Sequence, residues 1–157
     1  MDSALVRRLT WIVERALIAL SALIAVVVFL QVVFRYLLRQ PLFWSEELPR
    51  YLLIWMSFLA AALAQKSEAH INITLAIAPL PPAWRRAIRI LTNLIILAFL
   101  VVLVYSGALV VGITIHHRST ALQIPMAAVY LALPVGAALM MLYLALQIVH
   151  DLTSPRT

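Results

Sequence analysis

Apolar residues fill this chain in four long blocks, and its polar residues are confined to the short stretches between them. From Ala16 to Phe34, from Ile90 to Ile115 and from Ile124 to Val149 there is no Asp, Glu, Lys, Arg or His, and Tyr51 to Ala64 is also free of charge. Blocks of this length and polarity predict transmembrane helices. The first, at about 1.5 Å per residue, reaches most of the way across a hydrocarbon core of about 30 Å. The second is shorter, so its helix must draw Leu48, Pro49 and Arg50 at one end and Gln65 at the other into the interface, where Arg50 has to snorkel or pair. The third is expected to start near Pro82, because proline suits a first helical turn, and its uncharged part is long enough to require tilt or protrusion. The fourth starts at Pro125 and carries Pro134 inside it, which predicts a kink.

The pattern gives an all-α membrane protein, a single integral membrane domain over residues 1–157 with spans at about 16–34, 48–65, 88–115 and 124–149. Between the second and third spans, Ile71 to Leu80 is apolar but too short to cross, and is closed by Pro79, Pro81 and Pro82. A short interfacial or re-entrant segment is expected there. No internal repeat suggests an inverted-repeat transporter core.

Composition sharpens the class. Hydrophobic residues make up 65% and charged residues 11%, which takes the chain outside the range of soluble domains. The absence of cysteine removes disulfides, thiolate metal sites and cysteine nucleophiles. A net charge of +6 has no basic stripe interleaved with polar residues behind it, so nucleic acid is not the expected partner. Instead Arg7, Arg8, Arg15, Trp84, Arg85, Arg86 and Arg89 sit at the ends of apolar runs and read as anchors facing anionic membrane lipid. Arg7 and Arg8 before an apolar run resemble a signal peptide, but the run is too long and meets Gln31, Arg35 and Arg39 rather than a cleavage site, which predicts a retained span. Arg7, Arg8, Arg15, Lys66, Arg85, Arg86, Arg89 and Arg156 fall on one side of the membrane, against Arg35, Arg39, Arg50 and Arg118 on the other. The positive-inside rule then places both termini and the central loop in the cytoplasm.

Little in the chain suggests chemistry. The densest polar feature is Trp44-Ser45-Glu46-Glu47-Leu48-Pro49-Arg50. Here Ser45 can cap the second helix, Glu46 and Glu47 can complement its dipole, and Arg50 lies within pairing distance of both. The same segment can serve as a docking edge for a partner. His70 and His150 are expected on one side and His116 and His117 on the other, so no metal site is predicted. Small residues four apart, Ser21 with Ala25, Ser57 with Ala61, Ala108 with Gly112 and Ala132 with Gly136, allow close helix approach. Gln31, Thr92, Asn93, Tyr105 and Gln147 are the polar groups expected to be buried and bonded to other helices. With three glycines and no nucleophile and base constellation, neither a catalytic site nor a cofactor is predicted, and the chain is not expected to be an enzyme.

Phe34-Arg35-Tyr36, then Trp44-Ser45-Glu46-Glu47 with Arg50-Tyr51 and Trp55, then His70-Ile71, then Ser119-Thr120-Ala121-Leu122-Gln123-Ile124-Pro125 with Tyr130, Pro134 and Gly136 resemble the small membrane (DctQ-type) subunit of tripartite ATP-independent periplasmic (TRAP) transporters. The similarity runs from about Phe29 to Leu146. One departure is that Asn72 and Thr74 stand where the family commonly has an acidic residue after the central His-Ile pair.

The resemblance implies a bacterial inner-membrane complex. In it a periplasmic substrate-binding protein delivers an organic acid to a large membrane subunit that holds the substrate and sodium sites, and the small subunit is a non-catalytic scaffold. On that reading Arg35, Trp44, Ser45, Glu46, Glu47, Arg50, Trp55, Pro125 and Tyr130 are contact or structural residues. Two other classes fit four uncharged spans: a self-sufficient proton-coupled exporter, which would have to use Glu46 or Glu47, and a structural subunit of an unrelated membrane complex.

Overall fold

A computed structural model of the chain describes residues 4–68 and 81–153. Helix α1 covers Ala4–Val32, α2 Glu47–Glu68, α3 Pro82–Thr114, α4 Met126–Tyr130 and α5 Ala132–Thr153. Four helical runs are long and apolar enough to cross a membrane, and no strand occurs among the described residues beyond an isolated bridge between Arg118 and Pro125. The expected all-α, four-span architecture is therefore found. The expected interfacial segment, 71–80, lies outside the described residues.

Proline and backbone geometry set the boundaries. Pro82 opens α3, where the missing amide costs nothing. At its 33 residues that helix is about 50 Å long, well over the hydrocarbon thickness. The break at Leu131 divides the last span into α4 and α5. Pro134 explains it, because its ring meets the carbonyl four residues back, that of Tyr130, and it has no amide to offer that oxygen. At the end of α1 the chain widens into one π turn, Val33–Leu37, with Leu38 N donating to Val33 O at 3.2 Å. Arg39 at φ 54° and Pro41 then prevent the helix from continuing.

The helices stand in a row rather than a closed square: α1 packs on α2, α2 on α5, and α5 on α3. Two small cores result. Val6, Ala62 and Tyr143 join α1, α2 and α5, while Leu100, Ala137 and Leu144 join α3 to α5. Glycine permits two close approaches. A Cβ on Gly136 would stand 2.6 Å from Phe58 Cβ, and one on Gly107 would stand 2.8 Å from Pro134 Cδ. Of the four small-residue pairs, Ala132 and Gly136 are buried at such a contact, whereas Ser57, Ala61, Ala108 and Gly112 are exposed on the outer faces.

Polar groups within the row follow the expectation in part. Gln147 is buried, and its Nε2 donates to the carbonyls of Gln65 at 3.4 Å and Lys66 at 3.3 Å. Tyr105 departs from it. It lies on the far side of α3 from Leu100 and Gly107, which face α5, and is 67% exposed.

Candidate functional site

The densest polar cluster forms at the loop end of the row, where the α1–α2 connection meets the α3–α4 loop. A three-residue 3₁₀ turn, Phe43–Ser45, leads into α2. Ser45 is buried, yet its hydroxyl donates to Leu42 O at 2.7 Å and so closes the turn before the helix instead of capping α2. That corrects the capping role expected from its position. Trp44 beside it is half-buried.

Glu46 and Glu47, adjacent in sequence, separate in space. Glu46 pairs with Arg35, presented by the π turn, at 3.5 Å, and both side chains are more than half exposed. An exposed pair of this kind is worth about 0–1 kcal/mol. Glu47 turns toward the α3–α4 loop. Its Oε1 accepts the amides of Thr120 at 3.2 Å and Ala121 at 3.1 Å, and its Oε2 accepts that of Leu122 at 3.0 Å. Arg50, expected to neutralise these carboxylates, is exposed and forms no ion pair among the described residues. The reason is geometric: three amides converging on one carboxylate satisfy it better than a flexible guanidinium one turn away in water.

The loop is shaped to present those amides. Ser119 N donates to Ile124 O at 2.9 Å, Ile124 N to the Ser119 hydroxyl at 3.3 Å, and Met126 N to His117 O at 2.8 Å. Gln123 adopts φ 55°, and Arg118 Nη1 reaches its carbonyl at 3.0 Å. With Ser119 buried and the loop closed on itself, the amides of 120–122 are free to point at Glu47, an anion nest in which the anion is the protein's own. The Leu122 amide is the main cause holding the Glu47 carboxyl below its ordinary value of 4.5; partial loss of water opposes it, and the Ala121 amide, the Ser119 hydroxyl and the Thr120 amide reinforce it. Glu47 is the first residue of α2, at the helix's polar head.

About two turns below this clasp, Trp55 Nε1 donates to Ala128 O at 3.1 Å, tying α2 to α4 just before the helix break. Pro125 immediately precedes α4 and Tyr130 ends it, both exposed. Arg35, Trp44, Ser45, Glu46, Glu47 and Pro125 thus lie at one end of the row, with Trp55 about two turns further along α2. Local spacing could not reveal the clasp, since the partners of Glu47 lie 73 to 75 residues away.

The opposite end carries the residues expected to act as anchors. Arg7, Arg8 and Trp84 are exposed, and Arg15 stacks over the Trp11 ring at 5.4 Å; Arg85, Arg86 and Arg89 lie in the first turns of α3. No group of His, Asp and Glu among the described residues could hold a metal ion, and His116 and His117 are both exposed beyond the end of α3.

Comparison with known proteins agrees with this architecture. Residues 24–154 match the family described as "Tripartite ATP-independent periplasmic transporters, DctQ component". A putative TRAP transporter small permease protein of Haemophilus influenzae is 34% identical over 97 residues, covering 59% of this chain and 60% of that relative. The sialic acid TRAP transporter small permease protein SiaQ of Vibrio cholerae is 37% identical over 92 residues, covering 59% of this chain and 49% of the relative. The isethionate TRAP transporter permease protein DctMQ of Oleidesulfovibrio alaskensis is 29% identical over 111 residues, which are 69% of this chain and 17% of that longer polypeptide. In the first two relatives the chain thus spans about half to three fifths of their length. With four membrane-spanning helices and a family match over most of its length, the chain belongs to the DctQ component of the TRAP transporters, small multi-pass subunits of the bacterial inner membrane.

Proposed function

We propose that this transporter subunit is a non-catalytic scaffold, packing against the large permease subunit of a sodium-coupled TRAP system for organic acids, with substrate and sodium bound by that larger subunit. The observation that carries the proposal is the lack of any ionisable side chain in the body of the spans, combined with a row of helices whose lateral faces are apolar and open. A solute path through such a row would have no group with which to couple an ion. Glu46 and Glu47, on which a proton-coupled exporter would depend, are engaged at the loop end by Arg35 and by the loop amides.

Several features favour packing against a larger membrane protein. On the outer side of α3, Tyr105, Ala108 and Gly112 are exposed, and no atom lies within 4 Å of a Cβ placed on Gly112, which leaves room for a close-packed helix. In the DctMQ relative, a similar stretch is 17% of one longer permease polypeptide. Sialic acid and isethionate, named for two relatives, are both organic acids. The excess of Lys and Arg at the end bearing both termini favours a cytoplasmic location for that end, so the Glu47 clasp faces the periplasm, where a substrate-binding protein docks.

Reconstitution tests the proposal. Liposomes holding this chain alone are expected to accumulate no organic acid under a sodium gradient, and those holding it with its permease and binding protein are expected to do so. Sodium-driven uptake by the chain alone would refute a scaffold role.

A further inference from the structure

At the end bearing the termini, Lys66, near the close of α2, reaches inward. Its Nζ donates to the Thr10 hydroxyl on α1 at 3.0 Å. That oxygen in turn donates to Val6 O at 2.8 Å and lies 3.4 Å from the hydroxyl of Tyr143 on α5, whose side chain is fully buried. The ammonium is therefore anchored at the junction of three helices, half-buried, with a neutral oxygen for its partner. An ammonium has three protons to donate, and no carboxylate among the described residues pairs with this one; Glu14, one turn beyond Thr10 on α1, is exposed and makes no ion pair with it. Arg7, one turn before Thr10 on α1, adds an exposed cation on the neighbouring turn.

The same seam between α1 and α2 opens, deeper in the membrane, into an apolar cleft of about 390 Å³ lined by Ala16, Ala19, Leu20, Leu23, Trp55 and Leu59. On α2, Trp55, Leu59 and Lys66 are four and then seven residues apart, so they share one stripe of the helix. On α1 the cleft lies 6 to 13 residues past Thr10. At 1.5 Å per residue this is a depth of about 9–20 Å, the region where the tails of one leaflet end in a core of about 30 Å.

The geometry points to a site for one anionic phospholipid, its phosphate on Lys66 with Arg7 alongside and one acyl tail in the α1–α2 cleft. Charge complementarity selects the headgroup: a zwitterionic lipid carries its own ammonium, which offsets the phosphate against Lys66, while phosphatidylglycerol does not. The assignment is independent of the proposed scaffold role, because it concerns the isolated chain.

The test uses the full-length chain purified in detergent, with lipid retention read by native mass spectrometry and thermal unfolding recorded with added phosphatidylglycerol, phosphatidylcholine or sodium phosphate. The wild type is expected to retain one phosphatidylglycerol in preference to phosphatidylcholine and to unfold at higher temperature with it, while sodium phosphate leaves unfolding unchanged. Lys66→Met is expected to weaken retention about fivefold, the effect of one basic residue at an anionic lipid surface, and Lys66→Arg to restore it. Ala19→Phe, which fills the cleft and leaves the charges in place, is expected to lower retention without changing unfolding in lipid-free detergent. Equal retention of the two lipids, or unchanged retention in Lys66→Met, overturns the headgroup assignment. A stability gain from sodium phosphate alone reassigns the site to a free anion, and unchanged retention in Ala19→Phe overturns the tail assignment; these two measurements, with the comparison of the two lipids on the wild type, also decide the matter if Lys66→Met fails to fold.

Discussion

Replacing Gly136 by valine attacks a close contact between α5 and α2. A Cβ at this position falls 2.6 Å from Phe58 Cβ, 3.1 Å from Phe58 O and 3.2 Å from Phe58 C. Ordinary van der Waals contact begins at 3.4–4 Å, so α2 has to retreat by about 1 Å, and the atoms in the way are backbone and Cβ, which no rotamer change can move. Retreat pulls on everything that joins α2 to α5, including the Ala62 and Tyr143 contact and the bonds from Gln147 to the end of α2. Overpacking a tight contact costs about 1–3 kcal/mol, and a rigid backbone obstacle puts this site at the upper end. For a chain of this size about 2–3 kcal/mol corresponds to a fall in Tm of about 5–10 °C in detergent. Gly112→Val is the matched control, because nothing lies within 4 Å of its Cβ, and its Tm is expected to stay within about 2 °C of the wild type, as for other exposed substitutions. A second check uses Phe58→Ala in the Gly136→Val background: because alanine keeps the offending Cβ and carbonyl, it should give no rescue. Equal Tm values for the two glycine variants, or full rescue by Phe58→Ala, would refute the account of a backbone-limited approach.

Four further outcomes follow from named contacts. Glu47→Gln replaces one acceptor oxygen of the clasp with an amino group, so hydrogen exchange at the amides of Thr120, Ala121 and Leu122 should accelerate; unchanged protection would mean that the loop holds itself. Since the Glu47 carboxyl titrates below 4.5 in the fold, the clasp should be intact at neutral and mildly acidic pH and be lost as pH falls through that lowered value; amide chemical shifts of residues 120–122 that move at pH 6 would contradict this. Arg35→Ala removes an exposed pair and should change stability by no more than about 1 kcal/mol, so a loss of several degrees in Tm would expose an unrecognised role for the π turn. Tyr143→Ala should cost about 3–5 kcal/mol because its fully buried ring joins three helices, whereas Tyr143→Phe should cost under about 1.5 kcal/mol because the Thr10 hydroxyl keeps its bond to Val6; similar losses in the two, compared by thermal unfolding, would deny the packing role.

Features set by covalent chemistry or by gross hydropathy could be read from the sequence: the four spans, the start of α3 at Pro82, the interruption caused by Pro134 and the burial of Gln147. Features set by the direction in which a face points could not. Tyr105 looks like a residue to be buried because its hydroxyl is out of place in hydrocarbon, yet its angular position puts it opposite the stripe that meets α5. Glu47 has Arg50 within a turn, so local pairing is the natural reading, but the loop amides that capture it become its neighbours only when the α3–α4 loop folds back onto the head of α2. Ser45 sits where a cap belongs, and the 3₁₀ turn before it claims its hydroxyl first. The resemblance of the Ser119 to Pro125 motif marked this loop as part of the family pattern, and the geometry supplies the physical reason: it is the piece that grips the head of α2.

The linear order of α1, α2, α5 and α3 also bears on how the subunit meets other molecules. In a closed square of helices every member hides its inner surface, and a newcomer must pry two of them apart to touch what lies within. A palisade has no inside. Apart from the end where α1 also reaches Tyr143 of α5, each post meets only those beside it and leaves its front and back open, so an incoming membrane protein can lie along several helices at once without displacing any, while lipid covers the side it does not occupy.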